Sequence, residues 1–126
     1  MSVPAGTLTA SFRSELLDFY GEHFGWTEIE ELRLPDRLTL SIGGRDYVNV
    51  RERESAMECT GYEHLGLRLA STEDVEQAWT ALSEEARDLE LAPLDKGDDG
   101  YRSFRLRYLL PLTVEVQYVP QLADGR

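Results

Sequence analysis

The first hydrophobic pattern in the chain has a helical period. Its apolar members are Leu8, Phe12, Leu16, Phe19 and Tyr20. Thr9 or Ser11 can act as the N-cap, and Gly21 and Gly25 follow as stop signals. Because residues three and four positions apart share one helix face, this spacing predicts a helix over residues 11–20.

Beyond Trp26 the apolar residues alternate with polar ones, which is the period of a β-strand. A Pro35-Asp36 pair and a Gly43-Gly44 pair separate the runs and supply turn residues. The pattern predicts an antiparallel three-strand meander with strands at 26–32, 37–42 and 47–51.

The second half repeats this order with one additional strand. A strand is predicted at 64–69, and a helix follows whose N-cap is Ser71, with Asp74 three positions later in a near capping box. Three more strands are predicted near 89–94, 103–108 and 113–118, with a polar loop at 95–100. The second half therefore has the pattern βαβββ. The first half has the same pattern with its leading strand missing or shortened to the stub 2–4.

Length and composition predict one cytoplasmic domain. The 126 residues suit a single core over 1–120, with modules at about 1–55 and 61–120 and a loose tail at 121–126. No apolar run is long enough to cross a bilayer, and the first residues do not have the pattern of a signal peptide. The single cysteine, Cys59, fits a reducing compartment. The sequence leaves open whether the natural chain begins upstream of Met1.

The net charge of -11 argues against nucleic acid and anionic membranes as partners. The basic residues are nevertheless twelve arginines and one lysine. Arginine is suited to forked contacts with carboxylate or phosphate groups, so the positions of the arginines matter more than the total charge.

Three short motifs carry a resemblance that covers nearly the whole chain. Asp-Phe-Tyr at 18–20 precedes Phe-Gly-Trp at 24–26, His-Leu-Gly-Leu at 64–67 opens the second module, and Pro111 precedes Glu115 by four positions. In order and spacing they resemble the glyoxalase/bleomycin resistance protein/dioxygenase, or vicinal oxygen chelate, superfamily. The resemblance implies an α+β fold in which two βαβββ modules form a cup-shaped mixed sheet with two helices on its outer face.

The resemblance also implies a metal site, because metal-using members take their ligands from the first and last strands of each module. His64 and Glu115 match those positions in the second module, whereas Asn49, a weak neutral ligand, stands in the first. The metal would be one divalent ion of zinc, iron, manganese or nickel. With only two matching ligands, a metal-free site is an equal alternative. In that case His64 is a hydrogen-bonded strand residue and Glu115 is its partner or half of an arginine pair.

Strand alternation predicts which side chains face the cup. Five arginines share that face, namely Arg37, Arg51, Arg68, Arg105 and Arg107. They favour a small anionic ligand, with Tyr47, Asn49 and Gln117 available to orient it. The alternative is that these arginines pair with carboxylates across the sheet or across a subunit interface.

Three functions are compatible with this pattern. The resemblance implies a domain that binds a small molecule in its cup, either as a metal-dependent lyase, isomerase or dioxygenase or as a non-catalytic binding protein of the bleomycin-resistance type. The third is an interaction domain without a ligand. A shortened leading strand also leaves a sheet edge unpaired, which favours a homodimer.

Overall fold

The computed structural model describes residues 1–58, 64–97 and 100–120. It divides the chain into two compact units, Met1–Glu58 and Cys59–Arg126. Each unit contains one α-helix and one four-stranded mixed sheet. The predicted tail at 121–126 and Cys59 lie outside the described residues.

The first unit has the order βαβββ. Its leading strand is present but has only three residues, which is the shortened strand that the sequence predicted as one of two alternatives. The strands run in the spatial order β1-β4-β3-β2, with β1 parallel to β4 and the other pairs antiparallel. The elements are β1 (Ser2–Pro4), α1 (Ala10–Phe24), β2 (Thr27–Glu28), a 3₁₀ helix (Glu30–Leu32), β3 (Arg37–Gly43) and β4 (Asp46–Arg53).

Helix α1 begins where its sequence predicts and ends later. The Thr9 hydroxyl accepts a hydrogen bond from the N–H of Phe12 at 3.1 Å, which identifies Thr9 as the N-cap. The helix continues through Gly21, where an added Cβ would lie 3.3 Å from the Trp26 carbonyl oxygen. It ends at Gly25, whose φ of 72° is a left-handed conformation that glycine adopts at little cost. The predicted end at residue 20 was therefore too early.

The predicted strand at 26–32 was wrong beyond its first residues. Thr27–Glu28 pairs with β3, and the N–H of Ile29 still donates to the Thr39 carbonyl of β3. A 3₁₀ turn follows, in which the N–H of Leu32 donates to the Ile29 carbonyl. The Arg33 guanidinium donates to the Glu28 carboxylate at 2.8 Å. The backbone bonds of the turn satisfy N–H and carbonyl groups that a longer strand would have used for pairing.

The ion pair between Glu28 and Arg33 predicts a pH dependence of stability. The hydrogen bond from Arg33 lowers the pKa of Glu28, whose side chain is only 7% exposed. A carboxyl with a lowered folded-state pKa contributes stability above its unfolded pKa, and loses it as the pH falls through the folded value. We expect Glu28→Gln to cost about 1 kcal/mol of unfolding free energy at pH 7, because one partner of the pair is exposed.

Urea unfolding of wild type and Glu28→Gln across pH 3 to 7 measures this difference. The two stabilities should begin to converge as the pH falls below the ordinary glutamate pKa, about 4.3, and should meet below the lowered pKa of Glu28 in the folded protein. A gap that does not change with pH would contradict a role for the Glu28 charge.

The second unit confirms the βαβββ pattern read from the sequence. Its strands run in the order β5-β8-β7-β6, with β5 parallel to β8 and the other pairs antiparallel. The Ser71 hydroxyl accepts from the N–H of Asp74 at 3.1 Å, so the predicted helix start is confirmed. The elements are β5 (His64–Arg68), α2 (Thr72–Ser83), β6 (Glu90–Leu91), β7 (Arg102–Arg107) and β8 (Thr113–Tyr118).

Strand β6 is much shorter than the predicted 89–94. The N–H of Ala92 still donates to the Arg105 carbonyl, and the pairing resumes at an isolated bridge between Asp95 and Ser103, shifted by one residue. The Trp79 indole N–H of α2 donates to the Ala92 carbonyl at 3.0 Å. This bond ties the helix to the end of the strand.

Each unit buries the apolar face of its own sheet and helix. In the first unit the buried positions include Leu16, Phe19, Tyr20, Leu38, Leu40 and Val50. In the second they include Val75, Leu82, Phe104, Leu106, Val114 and Val116. Helix α2 packs against β7 and β8. The fold class is therefore α+β with two βαβββ modules, as predicted. Neither helix is long and apolar enough to span a membrane, among the residues described.

Candidate functional site

One face of the second sheet is polar, and the strand register decides which of its residues lie opposite each other. Glu115 of β8 lies between Gly66 of β5 and Arg105 of β7. Two positions earlier on β8, Thr113 lies opposite His64, and two positions later Gln117 lies between Arg68 and Ser103. The flanking positions Val114, Val116, Phe104 and Leu106 are buried, so alternation separates the two faces as predicted.

Two basic side chains approach the Glu115 carboxylate. One oxygen, Oε2, accepts a hydrogen bond from Arg105 Nε at 2.9 Å. The other, Oε1, lies 3.7 Å from His64 Nε2. Because Gly66 has no side chain, nothing from that position covers the carboxylate. Glu115 is thus shared between a permanent cation and an imidazole.

The charge of Arg107 is not compensated in the same way. Its Nη2 donates to the Pro111 carbonyl at 2.7 Å, which holds the guanidinium beside the turn before β8. Within 64–97 and 100–120, no carboxylate oxygen lies within 4.0 Å of it. Glu90 is its register partner on β6 but forms no ion pair with it. Arg107 therefore presents a positive charge with a neutral partner.

A pocket of about 370 Å³ lies along β6, β7 and the start of β8. Its polar lining comes from Arg105, Arg107, Thr113 and Glu90, and its apolar lining comes from Leu91, Ala92 and Leu106. This volume falls in the range of small-molecule sites, about 300–1,000 Å³. The mixture of two guanidinium groups and an apolar wall suits a small molecule with an acidic group.

The second unit supplies two donors for a metal ion. His64 Nε2 and Glu115 Oε1 are 3.7 Å apart, and one ion at about 2.1 Å from each could lie between them. No third His, Cys, Asp or Glu joins them in the described part of this unit. Arg105 also holds the second carboxylate oxygen. Because catalytic zinc generally has three protein ligands, the donor set of this unit is incomplete.

Asn49, which stands at the corresponding position of the first unit, has structural partners. Its Oδ1 accepts a hydrogen bond from the Thr39 hydroxyl at 2.6 Å, and its carbonyl accepts from the amino group of Met1. Thr39 is fully buried, so this bond satisfies a hydroxyl that water cannot reach. Tyr47, also predicted to orient a ligand, is 59% exposed.

We expect Asn49→Leu to lower the free energy of unfolding by about 1–3 kcal/mol, because the buried Thr39 hydroxyl loses its acceptor. Thr39→Val should cost less, and in the double variant the two losses should not add, since both remove the same bond. Denaturant titration of the three variants measures this coupling. Additive losses would show that the hydrogen bond contributes nothing.

The five arginines predicted to share one face belong to two sheets. Arg37 and Arg51 lie on β3 and β4 of the first unit, whereas Arg68, Arg105 and Arg107 lie on β5 and β7 of the second. Arg105 forms the cross-strand carboxylate pair that the sequence left open as an alternative.

Thr113 lines the pocket and has the same strand parity as Glu115, so the sequence places both on one face. Sequence reasoning missed the other four lining residues, Glu90, Leu91, Ala92 and Leu106. Glu90, Leu91 and Ala92 could not be found, because only the pairing of β6 with β7 brings them to this pocket.

No protein-family model matches the sequence, and no curated protein matches it. Solved structures do match. A lactoylglutathione lyase from Agrobacterium tumefaciens is 17% identical, with 97% of this chain and 92% of that chain covered and a TM-score of 0.65. A glyoxalase/bleomycin resistance protein/dioxygenase family enzyme from Burkholderia phytofirmans is 14% identical, with 94% of each chain covered and a TM-score of 0.68.

The fosfomycin resistance protein FosX from Listeria monocytogenes, complexed with Mn(II) and sulfate, is 18% identical. The match covers 98% of this chain and 88% of that chain, with a TM-score of 0.65. Two βαβββ units in the predicted order, matched over nearly their whole length, confirm the resemblance at the level of the fold. The chain thus has the fold of the glyoxalase/bleomycin resistance protein/dioxygenase, or vicinal oxygen chelate, superfamily.

Proposed function

We propose that this protein binds a small molecule bearing a carboxylate or phosphate group on the polar face of its second sheet. The observation that carries the proposal is Arg107, a cation at a pocket of about 370 Å³ whose bonded partner is a carbonyl oxygen. A guanidinium that donates one hydrogen bond to a carbonyl keeps its other N–H donors available for a forked contact with an anionic group.

The remaining lining supports the same class of ligand. The Thr113 hydroxyl can donate to a second oxygen of the acidic group, while Leu91 and Ala92 can contact an apolar part of the molecule. Arg105 is paired with Glu115, so it contributes less positive charge to the pocket than Arg107 does. The solved structure of FosX with sulfate and Mn(II) is consistent with anion binding in a protein of this fold.

A matched pair of variants tests the proposal. Arg107→Met removes the cation and keeps the length of the side chain, and Arg45→Met removes the same charge from the exposed hairpin turn between β3 and β4. Across a panel of small carboxylates and phosphate esters, we expect Arg107→Met to weaken the ligands that bind wild type about tenfold. Arg45→Met should bind like wild type.

Calorimetric titration of each ligand measures the effect. If Arg107→Met and Arg45→Met bind every ligand of the panel with the same affinity as wild type, the proposal that the second sheet binds an anionic ligand is wrong.

A metal-dependent lyase, isomerase or dioxygenase is the second candidate. The observation in its favour is the 3.7 Å separation of His64 Nε2 and Glu115 Oε1. These two side chains would hold a divalent ion of zinc, iron, manganese or nickel. Such an ion would polarise neighbouring oxygens of a substrate.

Elemental analysis distinguishes this candidate from metal-free binding. Protein purified without chelator should contain near-stoichiometric metal if the candidate is right, and His64→Ala should lose it. Equal metal content in the two proteins, or no metal after adding it back, would exclude His64 as a ligand.

We also propose that the protein forms a homodimer. Strand β1 has three residues and occupies one edge of the first sheet, and β2 has two and occupies the other. β1 pairs with only Arg51–Arg53 of β4, and the backbone groups of β4 beyond that segment can pair with a second copy of the chain. Light scattering at micromolar concentration should give twice the chain mass, and a monomer mass would contradict the proposal.

A further inference from the structure

Two arginines lie directly opposite each other on neighbouring strands of the first sheet. Arg37 of β3 and Arg51 of β4 are register partners. The N–H and the carbonyl of Arg37 both bond to Leu34, and the N–H of Arg51 donates to the Met1 carbonyl. Arg37 and Arg51 therefore form a non-hydrogen-bonded pair, the arrangement in which cross-strand side chains come closest.

A third arginine extends this pair. Arg53 follows Arg51 by two positions on β4, so its side chain leaves the same face of the strand. We call Arg37, Arg51 and Arg53 the arginine cluster. Together with Leu34, Asp36 and Glu52, the cluster lines a cavity of about 90 Å³ within the first unit.

The two carboxylates that line the same cavity, Asp36 and Glu52, form no ion pair with the cluster. The Glu52 carboxylate accepts a hydrogen bond from the N–H of Leu8 at 2.8 Å. Among the described residues, no Asp or Glu oxygen lies within 4.0 Å of a guanidinium nitrogen of the cluster. Like charges placed directly opposite each other on a sheet destabilise it. The cluster therefore has a repulsion that a bound anion would relieve.

The guanidinium of Arg37 is also held in place. Its Nε and Nη2 donate to the Leu32 carbonyl at 3.2 and 3.1 Å. The carbonyl of Arg37 in turn accepts from Arg13 of α1, which also binds the carbonyls of Leu34 and Pro35. A cation fixed before the ligand arrives loses less side-chain entropy on binding.

We propose that the arginine cluster is a binding site for a phosphate or sulfate group. A cavity of about 90 Å³ has the volume of roughly three water molecules, which suits one tetrahedral oxyanion group. Guanidinium forks on two strands match the several oxygens of such a group. The site lies in the first unit and does not depend on the function proposed for the second sheet.

Titration of inorganic phosphate at low ionic strength, followed by calorimetry, tests the site. Arg51→Met should weaken phosphate binding at least about tenfold. Arg45→Met, which removes the same charge from the hairpin turn, should bind phosphate like wild type. Phosphate bound on the second sheet would be lost in Arg107→Met instead, so the two proposals can fail separately.

Thermal unfolding supplies a readout that a merely structural arginine would not give. Without phosphate, Arg51→Met should unfold at the same temperature as wild type or higher, because the repulsion from Arg37 is gone. Phosphate should raise the melting temperature of wild type above that in chloride of equal ionic strength, and should not raise that of Arg51→Met. The site is overturned if wild type binds no phosphate, or if Arg51→Met and Arg45→Met respond to it equally.

Discussion

Glu115→Gln should tighten the binding of an anionic ligand to the second sheet about tenfold. In the wild-type protein the Glu115 carboxylate accepts from Arg105 Nε at 2.9 Å and partly neutralises that guanidinium. Glutamine keeps the shape of the side chain but carries no charge. Arg105, whose side chain is 45% exposed, would then contribute its full positive charge to the pocket that Arg107 also lines.

The same substitution separates the two candidate functions, because they predict opposite results. If His64 and Glu115 hold a catalytic metal, Glu115→Gln removes a charged ligand, and both metal content and activity should fall. If the face binds anions without a metal, affinity should rise.

Glu84→Gln is the matched control for Glu115→Gln. It removes one negative charge at the exposed end of α2, away from the polar face of the sheet. It should leave the affinity for the anionic ligand unchanged within a factor of about two, since exposed charges are largely screened by salt. An affinity that rises equally in both variants would show a general effect of net charge rather than the release of Arg105.

Phe19→Ala should lower the free energy of unfolding by about 3–5 kcal/mol. Phe19 is fully buried on α1, and its ring lies edge-on to that of Tyr20 with centroids 4.9 Å apart. Tyr20 stacks in turn on Trp26, with centroids 4.6 Å apart and an angle of 13° between the rings. Removing the Phe19 ring leaves a cavity and one fewer aromatic contact in this cluster.

Urea denaturation of Phe19→Ala measures the loss, and Ser14→Ala on the exposed side of the same helix is the control. Ser14→Ala should leave stability within about 0.5 kcal/mol of wild type, because it changes little beyond helix propensity. A loss below about 1 kcal/mol for Phe19→Ala would mean that the surrounding side chains close the cavity or that the cluster is not formed in solution.

The proposed sites differ in how far the sequence could indicate them. His64 and Glu115 were assigned to one face by the resemblance and by strand parity, and the structure brings them to 3.7 Å. The pairing of Arg105 with Glu115 remained one of two alternatives, because parity does not say which residue lies opposite which. Strand parity placed Arg37 and Arg51 on one face, but it did not show that they lie directly opposite each other, since that depends on how β3 and β4 align.

The sequence by itself determined the order βαβββ in the second half, the N-cap of α2 and the faces of the long strands, and it left the N-cap of α1 open between Thr9 and Ser11. These features depend on residues a few positions apart, such as Ser71 and Asp74, and local chemistry is enough to specify them. The tertiary structure alone decided the lengths of β2 and β6, the strand register and the partners of the arginines. The register depends on hydrogen bonds between residues far apart in the chain, and a period of two leaves several registers open until the strands pair. The length of β2 also depends on the 3₁₀ turn that follows it.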